Sequence, residues 1–383
     1  MPEAILHNVR ILDFTWVLAG PYATRLLADF GAEVIKVQPL LSSETDDAYS
    51  RGYYAAWNRN KLGVTLDLNK PEGITLAKRL VGISDAVVEN FAPRVMDNWG
   101  LDYQTLKKIK PDIIMASLSL MGHNGPRRNY TGYGPSVHAF SGMTSLTSFP
   151  GGPPLGPGFS FADHLAGLYA SMSLLAALEE RDRTGKGRFV DISEVARMKD
   201  LLDGSLNGAG LEPRGNASLK AAPHDVYLCK DGRWCAVSVS SEAEWRGLKK
   251  AFGSPVWAED KKFASPSGRI KNKAGLDGFI SAWTQKHTAA AVMSTLQRNG
   301  VPAGVVQNAA DLSRDPQLKS RGFFIDKPEL GRLVDASPVR LSETPAAYIL
   351  PAPPPGRDND YVYGGLLGLS RAEMTELRNK GII

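Results

Sequence analysis

Between Val9 and Gly122 short aliphatic runs alternate with longer amphipathic stretches, and no other feature restricts the fold as much. The runs in VRILDFT, EVIKVQ, VTLDL, AVVENF and DIIMASLSL are too apolar for strands with one wet face and read as strands covered on both sides. Ala23, Leu26, Leu27 and Phe30 give the first intervening helix an apolar face, and Gly31 stops it. Pro71 and Glu72 open a second helix that reaches about Ile83, and a third stretch runs from about Leu101 to Lys108. Parallel neighbours need crossovers, and helices supply them. The pattern predicts an α/β domain: a Rossmann-like parallel sheet with helices on its faces.

Open sheets of this kind bind ligands beyond the carboxyl ends of their strands. Asn90 and Phe91 follow the AVVE strand directly, and Ala19-Gly20-Pro21 opens the first helix with free N–H groups able to meet a phosphate or an amide. Neither GxGxxG nor GxxxxGK[ST] occurs, so a generic nucleotide motif is absent. Asn58, Arg59, Asn60 and Lys61 precede a strand placed at Val64 to Leu68, as ligand donors or as a polar turn.

The segment PGFSFADHLAGLYASMSLLAAL puts one carboxylate, Asp163, at the start of a small-residue apolar run. Ala166, Gly167, Ala170, Leu174, Leu175 and Leu178 recur at helical spacing, which predicts a buried helix from near Ala162 and a charged turn from Glu179 to Gly187. Asp163 falls in the first turn, where the helix dipole favours an anion. Residue type alone leaves it either a helix-end charge or a functional carboxylate. The preceding loop delivers Arg127, Arg128, Tyr130 and Tyr133.

After the strand RFVDISEV and a further helix, the chain turns glycine-rich and polar from Gly208, which marks a domain boundary. Residues 1–207 and 332–383 form the expected large domain, and 208–331 a smaller α/β domain. The latter holds a hairpin carrying Cys229 and Cys235, helices near Leu276 to Lys286 and Ala289 to Asn299, and an edge strand in VPAGVV. Arg332 to Ile349 reads as strand-like, PAPPPG as a stiff linker, and Ser370 with Glu373 as the capping box of a terminal helix.

A chain of 383 residues is long enough for two domains. Hydrophobic content of 43% and charged content of 22% are ordinary for a globular protein. No apolar run reaches the roughly 18 residues of a membrane span, and the amino terminus has no secretory pattern, so a cytoplasmic enzyme is expected. The net charge of +5 comes from dispersed Lys and Arg, which fits an anionic small molecule better than nucleic acid. Two cysteines do not make a metal site, and no metal is expected.

Several pieces together, ILDFTWVLAGPYATRLLADFGAEVIKVQ, NRNKLGVTLDLNKPEG, VVENFAPRVMDNWGLDY, ADHLAGLYASMSLLAALEERDRTGKGRFVDIS and VPAGVV, resemble the family III CoA-transferases, or CaiB/BaiF family, across nearly the whole chain. The resemblance implies a large and a small α/β domain in an interlocked dimer, with no tightly bound cofactor and with coenzyme A or acyl-CoA as substrate alongside a carboxylic acid. It assigns the catalytic aspartate to Asp163 and CoA contacts to Val17, Leu18, Ala19, Leu66, Asn90, Phe91, Trp99 and Tyr133. Where the family uses an arginine after the second strand this chain has Pro39, preceded by Gln38 in place of the common glutamate; Arg94, Arg127 and Arg128 are candidates for the missing phosphate charge. A carboxylate attacking a thioester forms an aspartyl-acyl anhydride, which splits one hard exchange into easier steps. Two alternatives stay open: an α-methylacyl-CoA racemase, with Tyr133 at the position of that branch's histidine and His138 as a substitute base, and one subunit of a hetero-oligomeric transferase. Trp16, Tyr53, Tyr54, Trp57 and Phe159 favour a bulky acid.

Overall fold

The structure, a computed structural model, describes residues 4–41, 47–196 and 212–383. Six strands form one fully parallel sheet: β1 (Arg10–Asp13), β2 (Glu33–Gln38), β3 (Lys61–Thr65), β4 (Ala86–Glu89), β5 (Ile114–Ser119) and β6 (Phe189–Ser193). Their order is β3-β2-β1-β4-β5-β6, so the winding reverses between β1 and β4. The crevice beyond the carboxyl ends of those two strands is the place where such a sheet takes a ligand. β3 begins at Lys61 rather than at the expected Val64, in register with Val34 of β2.

Alternation along each strand feeds two cores. Leu12, Ile35 and Val87 point to one face, which packs on helices α3 (Pro71–Gly82) and α5 (Tyr103–Ile109). Ile11, Val34, Val88 and Ala116 point to the other, covered by α1 (Ala19–Asp29) and α8 (Phe161–Thr184). α1 and α8 meet closely because Gly167 has no side chain: a Cβ there would lie 2.7 Å from the carbonyl oxygen of Ala19. By length and composition α8 is apolar enough to cross a membrane, but its buried face marks it as a core helix of this sheet. The helix continues through the expected turn at Glu179, since Glu and Arg are good helix formers, and ends where Gly185 turns left-handed at φ 69°.

Three further helices stand where sequence periodicity is too short to see: α2 (Ala48–Trp57), α4 (Arg94–Trp99) and α6 (Gly134–Phe140), with a single turn, α7 (Met143–Leu146), after the last. The Asp47 side chain caps α2, accepting from the N–H groups of Tyr49 and Ser50. Asn58 to Lys61 prove to be internal partners rather than ligand donors. Fully buried Arg59 binds Asp29 at 2.6 Å and reaches Asp335 at 3.0 Å. Lys61 binds buried Asp13 at 3.0 Å, and burial lowers its ammonium to about 7. Burial alone would raise Asp13, but Lys36 and Lys61 beside it hold its carboxyl well below the usual range.

The chain divides into two compact units, one of Met1–Thr144, Gly156–Ala209 and Gln317–Ile383, the other of Ser145–Leu155 and Gly210–Pro316. The boundary expected at 208 lies outside the described residues, and of the helix expected after β6 only the start, residues 194–196, lies within them. At the far end the chain returns to the large unit at Gln317 rather than at Arg332, because strand Phe324–Lys327 pairs antiparallel with Arg332–Asp335 and the two cannot be separated. Beyond Asp335 the strand-like stretch is irregular. The proline run is no free linker: the Tyr54 hydroxyl donates to the Pro353 carbonyl at 2.9 Å, and a Cβ on Gly63 would strike the Pro353 ring at 2.6 Å. Helix Arg371–Asn379 carries the expected Ser370/Glu373 capping box.

In the second unit strands His224–Leu228, Trp234–Ser238 and Ala303–Val305 form an antiparallel sheet in that order, the last at an edge. Cys229 and Cys235 are unpaired thiols in its core, beside Trp245, Leu248 and Phe263.

Candidate active site

The loop leaving β1 crosses the β1/β4 switch point, and Asn90, just after β4, holds it. The Trp16 N–H donates to Oδ1 of Asn90 at 2.9 Å, and Nδ2 of Asn90 donates to the Trp16 carbonyl at 2.9 Å. The next residue, Val17, sits at φ 63°, a left-handed conformation that costs a β-branched residue about 1–3 kcal/mol. The amide clamp supports that strained turn and fixes how Val17 and Leu18 face the crevice.

A cavity of about 480 Å³ opens there, lined by Val17, Leu18, Asn90 and Phe91 and, from the facing elements, by Asp163 and Glu194. Asp163 comes from the first turn of α8, and its Oδ2 is buried without a hydrogen-bond partner among the described residues. Burial raises the Asp163 carboxyl above its ordinary value. Its place against α6 depends on Gly134, where a Cβ would lie 2.7 Å from Oδ2. The Ala162 N–H at the start of α8 donates to Nε2 of His138 at 3.3 Å. Burial lowers His138, so the imidazole is a neutral acceptor tied to the helix end, and it does not line the cavity. Glu194, just after β6, was not signalled by any motif. It is buried in the same cavity, and burial together with the Asp163 charge pushes its carboxyl up to about 8.

A second cavity of about 490 Å³ lies over the carboxyl ends of β2 and β3, walled by Phe14, Val37, Leu66, Phe91 and Trp99. Trp16 and Phe91 border both cavities, with ring centroids 6.3 Å apart. Gln38, at the end of β2, also lines this second cavity; both polar atoms of its amide are buried and unpaired, at a cost of about 1–3 kcal/mol for each such group.

The expected CoA contacts therefore fall into two groups. Val17, Leu18, Asn90 and Tyr133 line the Asp163 cavity, Leu66 and Trp99 line the second, and Phe91 lines both. Ala19 lines neither: it is buried where α1 packs against Gly167. Tyr133 is 60% exposed at the cavity rim. Arg94 lines the Asp163 cavity, whereas Arg127 and Arg128 line neither and Arg127 lies over the Phe140 ring. Of the aromatic residues, Trp16, Tyr53 and Tyr54 line a smaller adjoining cavity with Tyr133, and burial plus the Asp163 charge pushes the Tyr53 phenol up to about 12. Trp57 and Phe159 line none of the three. Spacing gave no sign of Gly134 or Glu194, since their roles arise from contacts with a helix distant in sequence.

The family model for CoA-transferase family III matches residues 6–359. The chain is 36% identical to a succinyl-CoA–D-citramalate CoA-transferase of Chloroflexus aurantiacus, covering 100% of this chain and 99% of that one. It is 32% identical to the alpha subunit of a succinyl-CoA–L-malate CoA-transferase from the same species, over 99% of this chain and 92% of the relative. A crystal structure of a CaiB/BaiF family protein from Brucella suis superposes with a TM-score of 0.85 at 30% identity, over 95% of this chain and 100% of that one. With its parallel sheet, its crevice at the β1/β4 switch and these matches along its length, the chain belongs to CoA-transferase family III, the CaiB/BaiF family of enzymes.

Proposed function

We propose that the chain moves CoA from an acyl-CoA donor to a carboxylic acid through covalent intermediates on Asp163. The observation that carries this reading is the Asp163 carboxylate itself, an unpaired oxygen buried beside the cavity at the start of an apolar helix. A structural helix-end charge would be solvated or hydrogen-bonded. An Asp163 oxygen attacks the thioester carbonyl, the C–S bond breaks, and CoA leaves as thiolate, giving the aspartyl-acyl anhydride. Thiolate attack on the Asp163 carbonyl carbon then releases the first acid as a carboxylate and leaves an aspartyl-CoA thioester. The acceptor carboxylate and the thiolate repeat the two displacements in reverse order, and Asp163 returns as a free carboxylate. Burial serves this chemistry twice: it strips water from the nucleophile and protects the anhydride from hydrolysis.

The relatives named for succinyl-CoA suggest a dicarboxylic donor. Arg94, which lines the cavity and has no carboxylate partner among the described residues, supplies charge for the far carboxylate. The working form is an interlocked dimer in the cytoplasm, of two identical chains or of this chain with a related subunit. Leu168, Met172 and Leu175 support a partner chain, since they leave an exposed apolar stripe on one side of α8.

Incubation with a panel of acyl-CoAs, trapping with hydroxylamine and intact-mass measurement tests the chemistry. The expected result is a hydroxamate on the wild type and none on Asp163→Asn. A wild type that never labels, with α-proton exchange in deuterated water instead, would sink the transferase mechanism.

A further inference from the structure

The second cavity contains one side chain whose hydrogen bonding is unfinished. Gln38 is 1% exposed and stands at the carboxyl end of β2, on the edge of the sheet that carries the Asn90 clamp. Its backbone is satisfied, the Gln38 carbonyl accepting from the Leu66 N–H at 2.9 Å, while neither Oε1 nor Nε2 has a partner among the described residues. Other charged, hydroxyl and amide side chains around this cavity are committed. Thr15 donates to Asp13, Lys36 to the Thr15 carbonyl, and Asn69 to Asp67, which also pairs with Lys70. A buried amide lacking both a donor and an acceptor partner is an exception among native side chains and asks for a ligand that presents both groups side by side.

The substrate of this family narrows what that ligand is. CoA phosphates offer only acceptors. A ribose hydroxyl offers donor and acceptor on a single atom. Each pantetheine amide points its N–H and C=O in opposite directions. Only the adenine base carries a donor, the exocyclic N–H, next to a ring-nitrogen acceptor on one rigid edge, and a side-chain carboxamide matches that edge with two hydrogen bonds. The walls suit a planar ring, with Phe91 and Trp99 meeting edge to face at 5.5 Å between Leu66 and Val37. Because Trp16 and Phe91 border both cavities, a ligand seated here extends directly to Asp163.

We propose that Gln38 reads the adenine base of CoA, its amide oxygen accepting from the exocyclic amino group and its amide nitrogen donating to the adjacent ring nitrogen. This rests on CoA being the substrate and not on the anhydride mechanism at Asp163. Gln38 supplies by base recognition part of the grip that an arginine on the nucleotide supplies elsewhere, and Pro39 follows it in this chain. Gln38→Glu keeps the shape but only accepts, and so cannot make both bonds.

The test is calorimetric titration of the full chain, as wild type, Gln38→Glu and Gln38→Leu, with three probes: CoA, its 1,N6-etheno derivative, which has no exocyclic N–H, and pantetheine, which has no base. Wild type is expected to bind etheno-CoA roughly tenfold to thirtyfold more weakly than CoA, and Gln38→Leu to lose the same factor on CoA with no further loss on etheno-CoA. Pantetheine affinity stays the same in all three proteins. Gln38→Leu melts at or above the wild type, because an unpaired amide is replaced by an apolar side chain, so weakened CoA binding is not misfolding. An equal loss on pantetheine, or a CoA to etheno-CoA ratio that Gln38→Leu leaves unchanged, overturns the assignment. Wild type that binds CoA but forms no adduct at Asp163 contradicts only the anhydride mechanism; failure to bind CoA at all overturns both.

Discussion

The side-chain amide of Asn90 grips the backbone of Trp16 at both of its polar groups, each at 2.9 Å, across the point where the sheet reverses its winding. One residue joins β4 to the loop after β1 and supports the left-handed turn at Val17. Asn90→Ala removes both bonds and lets Val17 relax. Since strain relief offsets part of the lost bonding, the melting temperature is expected to stay within about 2–4 °C. The kcat/KM for acyl-CoA is expected to fall roughly 10–100-fold, because a displaced loop misplaces the reacting groups. Steady-state kinetics beside a thermal melt separates the two; an unchanged kcat/KM would contradict a positioning role.

Gly134 and Asp163 set a second expectation. Gly134→Ala adds a methyl group 2.7 Å from Oδ2, and the carboxylate has to move. The variant is expected to fold, since alanine suits a helix start better than it harms one, while single-turnover labelling of Asp163 slows by roughly 10²-fold. Labelling at the wild-type rate would show that the carboxylate has freedom the close contact denies it.

Glu194 is expected to make both activity and stability depend on pH. Burial and the Asp163 charge raise its folded pKa to about 8, so between the ordinary carboxyl value and 8 the folded state holds a proton that the unfolded state has lost. That contribution is complete below the unfolded pKa and is lost as pH rises through 8, by at most roughly 1.4 kcal/mol per unit. Glu194→Gln, neutral throughout, is expected to gain on the wild type in urea melts as pH climbs from 5 to 8. In pH–rate profiles the wild type is expected to lose kcat/KM above about 8, when a second negative charge enters the acid's cavity, and the variant to keep it. Parallel profiles for the two proteins would contradict this.

Arg59 is fully buried between Asp29 and Asp335. Arg59→Ala strands the buried Asp29 carboxylate and is expected to cost about 3–5 kcal/mol in urea denaturation. Removing Lys380 from its exposed pair with Glu376 is expected to leave the urea midpoint essentially unchanged. Similar losses for both would mean that the buried network does not hold the returning Arg332–Asp335 strand.

His138 is tied to the Ala162 N–H, and among the described residues no histidine lines the Asp163 cavity to act as a base there. Incubating the protein with a chiral 2-methylacyl-CoA in deuterated water is expected to give no deuterium at that carbon by mass spectrometry. Exchange abolished in His138→Ala would restore the racemase reading.

Much of the chain's organisation was legible because it is local. Strands buried on both faces show as unbroken aliphatic runs, the first helix shows as a stripe ended by Gly31, and Ser370 with Glu373 forms its capping box within four residues. Asp163 stood out for the same reason, as one charge opening an apolar helix. Tertiary structure decided what each polar residue is for. Arg59 and Lys61 read as ligand donors or as a polar turn until the fold brought Asp29 and Asp13 to them. Ala19 packs against Gly167, Gly134 gained its contact with Asp163, and Gln38 and Glu194 became parts of cavities only when strands and helices far apart in sequence enclosed them. Periodicity and caps depend on neighbours within a turn or two, and the sequence by itself determines those. Burial and pairing of a polar group depend on which distant segment lies against it, and only the packed chain specifies that.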